Sequence, residues 1–151
     1  RSIIGMSVRK GTPKPDISTV EALRQTLLNA KSIAYSASAS GTYLSTELFP
    51  RLGVAEQIKG KAKKIYSERV GTVVARGEAE IGFQQVSELL PFTELDYVGP
   101  LPDEVQQTIF FSAGIGTQAG APEAARHLVR YLASPAAAAI VRSTGLDPAA
   151  K

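Results

Sequence analysis

The sequence has no cysteine and a single histidine, His127. Without cysteine the chain forms no disulfide, carries no thiol nucleophile and offers no sulfur ligand to a metal. One histidine is too few for a zinc-type cluster or for a Ser-His-Asp triad. His127 lies in a helical pattern, where we interpret it as a surface residue. We therefore expect no catalytic residue, no metal and no cofactor, and a protein that is not an enzyme.

Long apolar runs are also absent, so the sequence predicts no transmembrane helix. Residues 1–6 are too short for a signal peptide and lack its apolar region. Because the first residue is Arg, we interpret the chain as a processed or truncated fragment.

Charge is weakly informative, because the net charge is +3 and most basic residues are scattered. One cluster stands out, formed by Lys59, Lys61, Lys63 and Lys64. We interpret it as solvated surface and expect no nucleic-acid partner.

Short apolar runs alternate with helical patterns, which predicts an α/β fold with a mostly parallel sheet flanked by helices. The strands are expected at residues 3–8, 32–35, 80–86, 97–102 and 108–112. The helices are expected at residues 19–29, 42–49, 70–77, 122–132 and 136–141. Residues 52–64, which include the lysine cluster, are interpreted as a linker.

Local signals predict where several helices begin and end. Ser18 and Glu21 have the spacing of a capping box, in which each side chain satisfies a free N–H group. Pro50 is expected to kink its helix or to end it near Phe49. Gly77 is placed to terminate the next helix.

A loop of small hydroxyl residues, from Ser36 to Thr42, joins a predicted strand to a predicted helix. Hydroxyls and backbone N–H groups in such a position converge on anions. Ser38, Ser40, Gly41 and Thr42 are therefore candidate ligand-binding residues. The alternative is that Ser38 or Ser40 only caps the helix.

Two further segments have the chemistry of an anion site. The helix start at Val70 offers N–H groups, and the neighbouring Gly71 allows close approach. Gln84 and Gln85 follow a predicted strand, at the end where open α/β sheets bind ligands. The alternatives are an ordinary helix terminus and solvated amides.

Taken in order, several segments resemble molybdate-binding-type periplasmic solute-binding proteins. These segments are residues 32–43 with 51–54, residues 73–82, and the tail from 124 to 146. Proteins of this kind are the type II receptors of ABC importers, in which two α/β lobes close on a ligand. The resemblance implies a periplasmic or extracellular protein that is not an enzyme. Its implied partners are a small anion and the membrane subunits of an importer.

The resemblance also implies a domain organisation. Residues 1–105 correspond to the second lobe, and residues 106–151 to the strand and two helices that return into the first lobe. Most of the first lobe would be absent. The returning helices would then expose apolar stripes, which favours a homodimer or a swapped dimer.

By position, the family's anion contacts from this lobe fall on Ser40, Val70 and Gln85. Two departures change the expected ligand. Molybdate binders usually carry tyrosine where this chain has Gln85, and a common proline is replaced by Ala39 or Ser40. A carboxamide both donates and accepts hydrogen bonds. We therefore expect a molybdate-like oxyanion or a carboxylate, bound by this lobe alone in roughly the millimolar range.

Two other functional classes remain open from the sequence. Ligand-sensing effector domains of transcriptional regulators share the two-lobed architecture. An isomerase or hydrolase on an α/β scaffold is less favoured, because the sequence shows no acid–base pair for it.

Overall fold

The computed structural model describes residues 1–148, so residues 149–151 of the predicted return segment lie outside the described part. The strands of the described part are β1 (Ile4–Arg9), β2 (Ile33–Ser36), β3 (Ala62–Ile65), β4 (Ile81–Gln85) and β5 (Leu95–Pro100). Its α-helices are α1 (Val20–Asn29), α2 (Ala39–Tyr43), α3 (Phe49–Arg51), α4 (Ala55–Ile58), α5 (Val70–Ala75), α6 (Val86–Leu89), α7 (Pro122–Leu132) and α8 (Pro135–Ser143). A π-helical turn (Leu44–Leu48) joins α2 to α3, and a 3-10 turn (Asp103–Val105) follows β5.

The strands form one open sheet in the order β3-β2-β4-β1-β5. β2 pairs in parallel with β3 and β4, whereas β1 pairs antiparallel with β4 and β5. Four strands therefore point in one direction and β1 points in the other. The α/β class is confirmed, and the reversed β1 makes the mostly parallel sheet a mixed one.

The sheet separates two layers of helices, each with its own hydrophobic cluster. On the first face, Leu27 of α1 and Leu48 of the π-helical turn pack with Phe83 of β4. On the opposite face, which we call the α5 face, Val70 and Val74 of α5 belong to the second cluster. Each large apolar side chain buried in this way contributes about 1.5–3 kcal/mol.

The predicted linker at residues 52–64 is wrong, because this segment contains α4 and β3. β3 has the sequence Ala-Lys-Lys-Ile and pairs with β2 along one side only. Its consecutive lysines hide the apolar alternation by which strands are recognised. Lys61 donates to the carbonyl oxygens of Leu28 and Ala30 at the end of α1, so one residue of the lysine cluster has a structural contact. The predicted strand at 108–112 is also wrong, since only Ile109 bridges, to Ser2.

The predicted capping box at Ser18 and Glu21 is wrong by one residue. Thr19 caps α1, because its Oγ1 accepts a hydrogen bond from the N–H of Ala22 at 3.1 Å. The N–H of Ser18 instead donates to Asp16 Oδ1 at 2.8 Å, which places Ser18 in the preceding turn.

Pro50 does not end its helix near Phe49. The chain continues into α3, and a five-residue π-helical turn precedes the proline, with the N–H of Phe49 donating to Leu44 O. Proline has no N–H to continue α-helical bonding. The wider turn accommodates this gap, and the helical path continues to Leu52, whose N–H donates to Leu48 O.

The predicted exposure of the C-terminal helices is confirmed for the described residues. α7 has no buried residue. Leu128, Tyr131 and Leu132 of α7, and Ile140 of α8, are each about half exposed or more. These side chains leave an apolar surface on the described part of the chain.

Candidate functional site

The predicted site residues lie at one edge of the sheet, which we call the carboxyl edge. β2, β3 and β4 end at this edge, and the reversed strand β1 begins there. Ser36 is the last residue of β2 and Gln85 is the last residue of β4. In open α/β sheets, ligands bind just outside the carboxyl ends of the strands.

Three serine hydroxyls converge where β2 meets α2, and we call them the serine triangle. Ser36 Oγ lies 2.7 Å from Ser38 Oγ and 3.0 Å from Ser40 Oγ, and Ser38 Oγ lies 3.1 Å from Ser40 Oγ. Ser36 and Ser40 are buried, whereas Ser38 is exposed. The triangle therefore has a buried base and one solvent-facing corner.

The capping alternative for these serines does not hold. Ser38 occupies the N-cap position of α2, but its side chain makes no capping hydrogen bond. Its hydroxyl contacts the other two serines instead. The N–H of Thr42 is not free for an anion, because it donates to the carbonyl oxygen of Ser38 at 2.9 Å. Of the predicted groups in this loop, the serine hydroxyls, and not the Thr42 N–H, are thus the candidates for contact with a ligand.

Gly41 makes this arrangement possible through a close backbone approach. A Cβ atom at Gly41 would lie 1.6 Å from the carbonyl oxygen of Ser36. Only glycine allows the first turn of α2 to sit directly on the end of β2. Gly41 therefore shapes the serine triangle whether or not its N–H contacts a ligand.

The helix start at Val70 is occupied by a side chain. The N–H of Val70 donates to Gln84 Oε1 at 3.0 Å, and both residues are buried. Gln84 faces α5 because it lies two residues after Gly82, where a Cβ would contact Val70 and Val74. A ligand that binds the Val70 N–H has to displace the Gln84 carboxamide.

Gln85 projects to the opposite face of the sheet from Gln84. It follows Phe83 by two residues, and Phe83 belongs to the first-face cluster. Gln85 is 4% exposed, and its Oε1 has no hydrogen-bond partner among residues 1–148. The structure thus brings Gln85 to the carboxyl edge but not onto the side that carries the serine triangle.

Three neighbouring strands form a row at this edge on the α5 face. Ala34 pairs with Gly82, so Ser36 lies level with Gln84, and Gln84 in turn pairs with Gly5. We call Ser36, Gln84 and Gly5 the edge row. Gln85 belongs to the ligand-binding residues predicted from the sequence, whereas Ser36 and Gln84 do not.

One exposed cation, Arg69, precedes Val70 in the chain. Arg69 is the N-cap residue of α5, is exposed, and forms no ion pair within residues 1–148. The nearby carboxylate of Glu68 is held by Arg76 at 2.8 Å, and these hydrogen bonds lower the pKa of Glu68. Arg76 also pairs with Glu78, so one guanidinium serves two carboxylates, whereas Arg69 pairs with no carboxylate within residues 1–148.

One side chain, Gln106, joins the start of β1 to the segment that follows β5. Its Oε1 accepts from the N–H of Ile4 at 2.9 Å, and its Nε2 donates to the carbonyl oxygens of Ile4 and Leu101. Ser2 and Ile109 form the adjacent bridge. The segments that lead away from the sheet are thereby joined to each other next to the site.

Within residues 1–148, no group of three or more His, Cys, Asp or Glu side chains is arranged to hold a metal ion. No helix in this range is long and apolar enough to cross a lipid bilayer.

A family model described as bacterial extracellular solute-binding protein matches residues 1–147, and the chain belongs to that family. The fold is also similar to the folds of solved solute-binding proteins. The substrate-binding domain of a putative molybdenum ABC transporter from Clostridium difficile superposes with a TM-score of 0.67 at 17% identity, covering 99% of this chain and 64% of that one. A periplasmic thiamin binding protein superposes with a TM-score of 0.60 at 11% identity, covering 99% of this chain and 52% of that one.

A curated relative is similar in sequence as well. Aconitate isomerase from Pseudomonas sp is 50% identical over 148 residues, which is 98% of this chain and 56% of the relative. The chain therefore spans about half the length of this relative. Its name is that of an enzyme, whereas the family is one of binding proteins.

Proposed function

We propose that the chain forms one wall of a binding site for a small carboxylate anion, as part of an extracellular or periplasmic solute-binding protein. The serine triangle is the observation that carries this proposal. Three hydroxyls within 3.1 Å of one another are not used as a helix cap. They lie at the edge of the sheet where such folds bind ligands.

The triangle can change its hydrogen bonding when an anion arrives. Without a ligand, each hydroxyl can donate to the next one around the ring. A carboxylate at the exposed corner accepts from Ser38, whose O–H group turns outward, while the buried Ser40 hydroxyl can donate to Ser38 from beneath. Hydrogen bonds to a charged group contribute roughly 1.5–3 kcal/mol each. Two such bonds, one from Ser38 and one from a neighbouring donor, approach the roughly 4 kcal/mol of millimolar binding, but not the roughly 8 kcal/mol of micromolar binding.

Three features favour a carboxylate over molybdate. The Gln84 carboxamide lies level with Ser36, and the exposed Arg69 begins the helix that Gln84 contacts; a guanidinium matches a carboxylate in a two-pronged geometry. The relative at 50% identity is named for aconitate, which is a tricarboxylate. Gln85 also departs from the tyrosine expected of a molybdate site.

The second candidate function is an isomerase that acts on an unsaturated tricarboxylate. It is supported by the name of that same relative, and it would revise the expectation that the protein is not an enzyme. An isomerase of this kind moves a proton, so it needs an acid–base group at the ligand. The serine triangle and Gln84 supply neutral donors only, which is why we place binding first.

We further propose that residues 1–105 are the second lobe and that residues 106–148 return into the first lobe. The exposed apolar side chains of α7 and α8 support this division, because such a surface is normally covered. The family, together with the names of its structural neighbours, supports an ABC importer as partner and a periplasmic location. In isolation the same surface favours self-association of the chain.

Titration of the chain with trans-aconitate, citrate and molybdate, followed by NMR, tests the proposal. We expect millimolar binding of the carboxylates, weakened about tenfold in Ser38→Ala because a donor to a charged partner is lost. Ser143→Ala is the matched control, since Ser143 Oγ only donates to Ile140 O within α8. Equal affinities of Ser38→Ala and the unmodified chain would contradict the proposal.

An experiment on the full-length protein distinguishes the two candidate functions. Incubation with trans-aconitate, followed by proton NMR, reports turnover directly. Binding without conversion supports the solute-binding function, whereas appearance of the cis isomer above a heat-inactivated control supports the isomerase.

A further inference from the structure

Tyr97 is placed against the site by a glycine on the neighbouring strand. It lies on the edge strand β5 opposite Ser7, and its ring extends over Gly5. A Cβ at Gly5 would lie 2.7 Å from Tyr97 Cε2, 3.0 Å from the phenol oxygen and 3.0 Å from Val86 Cγ2. The ring therefore fills space that the glycine leaves open, beside the first residue of α6.

This position places the phenol oxygen next to Gly5, which is one end of the edge row. Gly5 pairs with Gln84, which lies level with Ser36. A Cβ at Gly5 would project to the α5 face, because the neighbouring residues Ile4 and Met6 belong to the first-face cluster. The hydroxyl of Tyr97 and the serine triangle thus lie on the same face, at opposite ends of the row.

The phenol O–H is a donor without a partner. The backbone carbonyl of Tyr97 accepts from Lys14 Nζ, but the hydroxyl donates to no group within residues 1–148. Burial raises the pKa of Tyr97 to about 12. The hydroxyl therefore keeps its proton at neutral pH and can only meet an anion as a donor.

The separation along the row selects for the length of the ligand. Ser36, Gln84 and Gly5 lie on adjacent strands, which are about 4.8 Å apart. The two ends of the row are therefore about 10 Å apart. A tetrahedral oxyanion carries all its oxygens on one central atom and reaches only one end. A polycarboxylate places carboxylates along a carbon chain and can reach both.

We propose that the Tyr97 hydroxyl donates a hydrogen bond to a second carboxylate of a ligand whose first carboxylate lies at the serine triangle. The substrate class of the site is then an extended polycarboxylate. This inference rests on the proposed function. It adds a specificity-determining residue from β5.

Tyr97→Phe tests the inference, because it removes the hydroxyl and keeps the ring. In NMR titrations of the chain we expect the affinity for trans-aconitate to fall about tenfold and the affinity for molybdate or acetate to stay unchanged. Tyr131→Phe, on the exposed helix α7, is the matched control. An unchanged affinity of Tyr97→Phe for trans-aconitate overturns the inference, as does an equal loss for all three anions. If the unmodified chain binds no carboxylate, the proposed function itself fails.

A second measurement does not depend on the folding of the variant. In the unmodified chain labelled with ¹³Cζ-tyrosine, the Tyr97 resonance reports a new hydrogen bond at the phenol. It can be distinguished from those of the other four tyrosines by sequential resonance assignment. We expect it to shift on addition of trans-aconitate but not of acetate. A resonance that stays in place at saturating trans-aconitate contradicts the proposal.

Discussion

Replacing Gly41 by alanine should destabilise the protein, although the same change in an ordinary helix stabilises it. Glycine in a helix interior costs about 1 kcal/mol relative to alanine, so the helical propensity favours the substitution. At Gly41 the added Cβ would lie 1.6 Å from Ser36 O and 2.6 Å from Ser36 C. Real Cβ atoms do not approach closer than 3.0 Å, and both neighbours are backbone atoms that cannot rotate away.

The magnitude follows from the shift that this contact demands. α2 has to move about 1.4 Å or more from the end of β2, since 1.6 Å must become at least 3.0 Å. Overpacking of a closely packed site costs typically 1–3 kcal/mol, and larger costs arise when backbone must move. We expect Gly41→Ala to lower the free energy of unfolding by about 3 kcal/mol, and to separate Ser36 from Ser40.

Urea unfolding followed by circular dichroism measures this free energy. Gly60→Ala is the matched control, because a Cβ at Gly60 meets nothing within 4 Å. The control should lie within about 0.5 kcal/mol of the unmodified chain. Equal stability of Gly41→Ala and Gly60→Ala would contradict the close contact between α2 and the end of β2.

The remaining predictions concern capping and pH. Thr19→Ala should lower the free energy of urea unfolding by about 1 kcal/mol and Ser18→Ala by much less, because Thr19 provides the cap of α1. A larger loss in Ser18→Ala than in Thr19→Ala would instead support the capping box formed by Ser18 and Glu21. Glu68 and Glu78 have lowered pKa values because Arg76 donates hydrogen bonds to both. Groups whose pKa is depressed on folding stabilise the protein above their unfolded pKa, and this contribution is lost as the pH falls through the folded value. Acid unfolding should therefore begin at higher pH in Arg76→Gln, and identical acid transitions would contradict this linkage.

Much of the fold could be predicted from local patterns. The strands that form β1, β2 and β4 are apolar runs, and α1, α5 and α7 have helical spacing, so the expected bounds of each lie within two residues of the observed ones. β3 was missed because its lysines and its edge position remove the apolar alternation. α6 was missed because four residues are too few to show a helical period.

The candidate site could be predicted in location but not in detail. The hydroxyl loop, Val70 and Gln85 all lie at the carboxyl edge, as expected from strand ends in an α/β sheet. Which groups are free could not be predicted, since Gln84 occupies the Val70 N–H through a contact between distant elements. Tyr97 carried no local signal at all, because its approach depends on the glycine of another strand.

The sequence by itself determined the alternation of strands and helices, the small-residue loop that lets α2 approach β2, and the absence of cysteine chemistry. These depend on local spacing and composition. Only the tertiary structure decided that Gln84 faces α5 while Gln85 faces away, that three serines close into a triangle, and that Tyr97 lies on the same row. Side chains alternate between the faces of a sheet, so the function of each strand residue depends on register with strands far away in the chain.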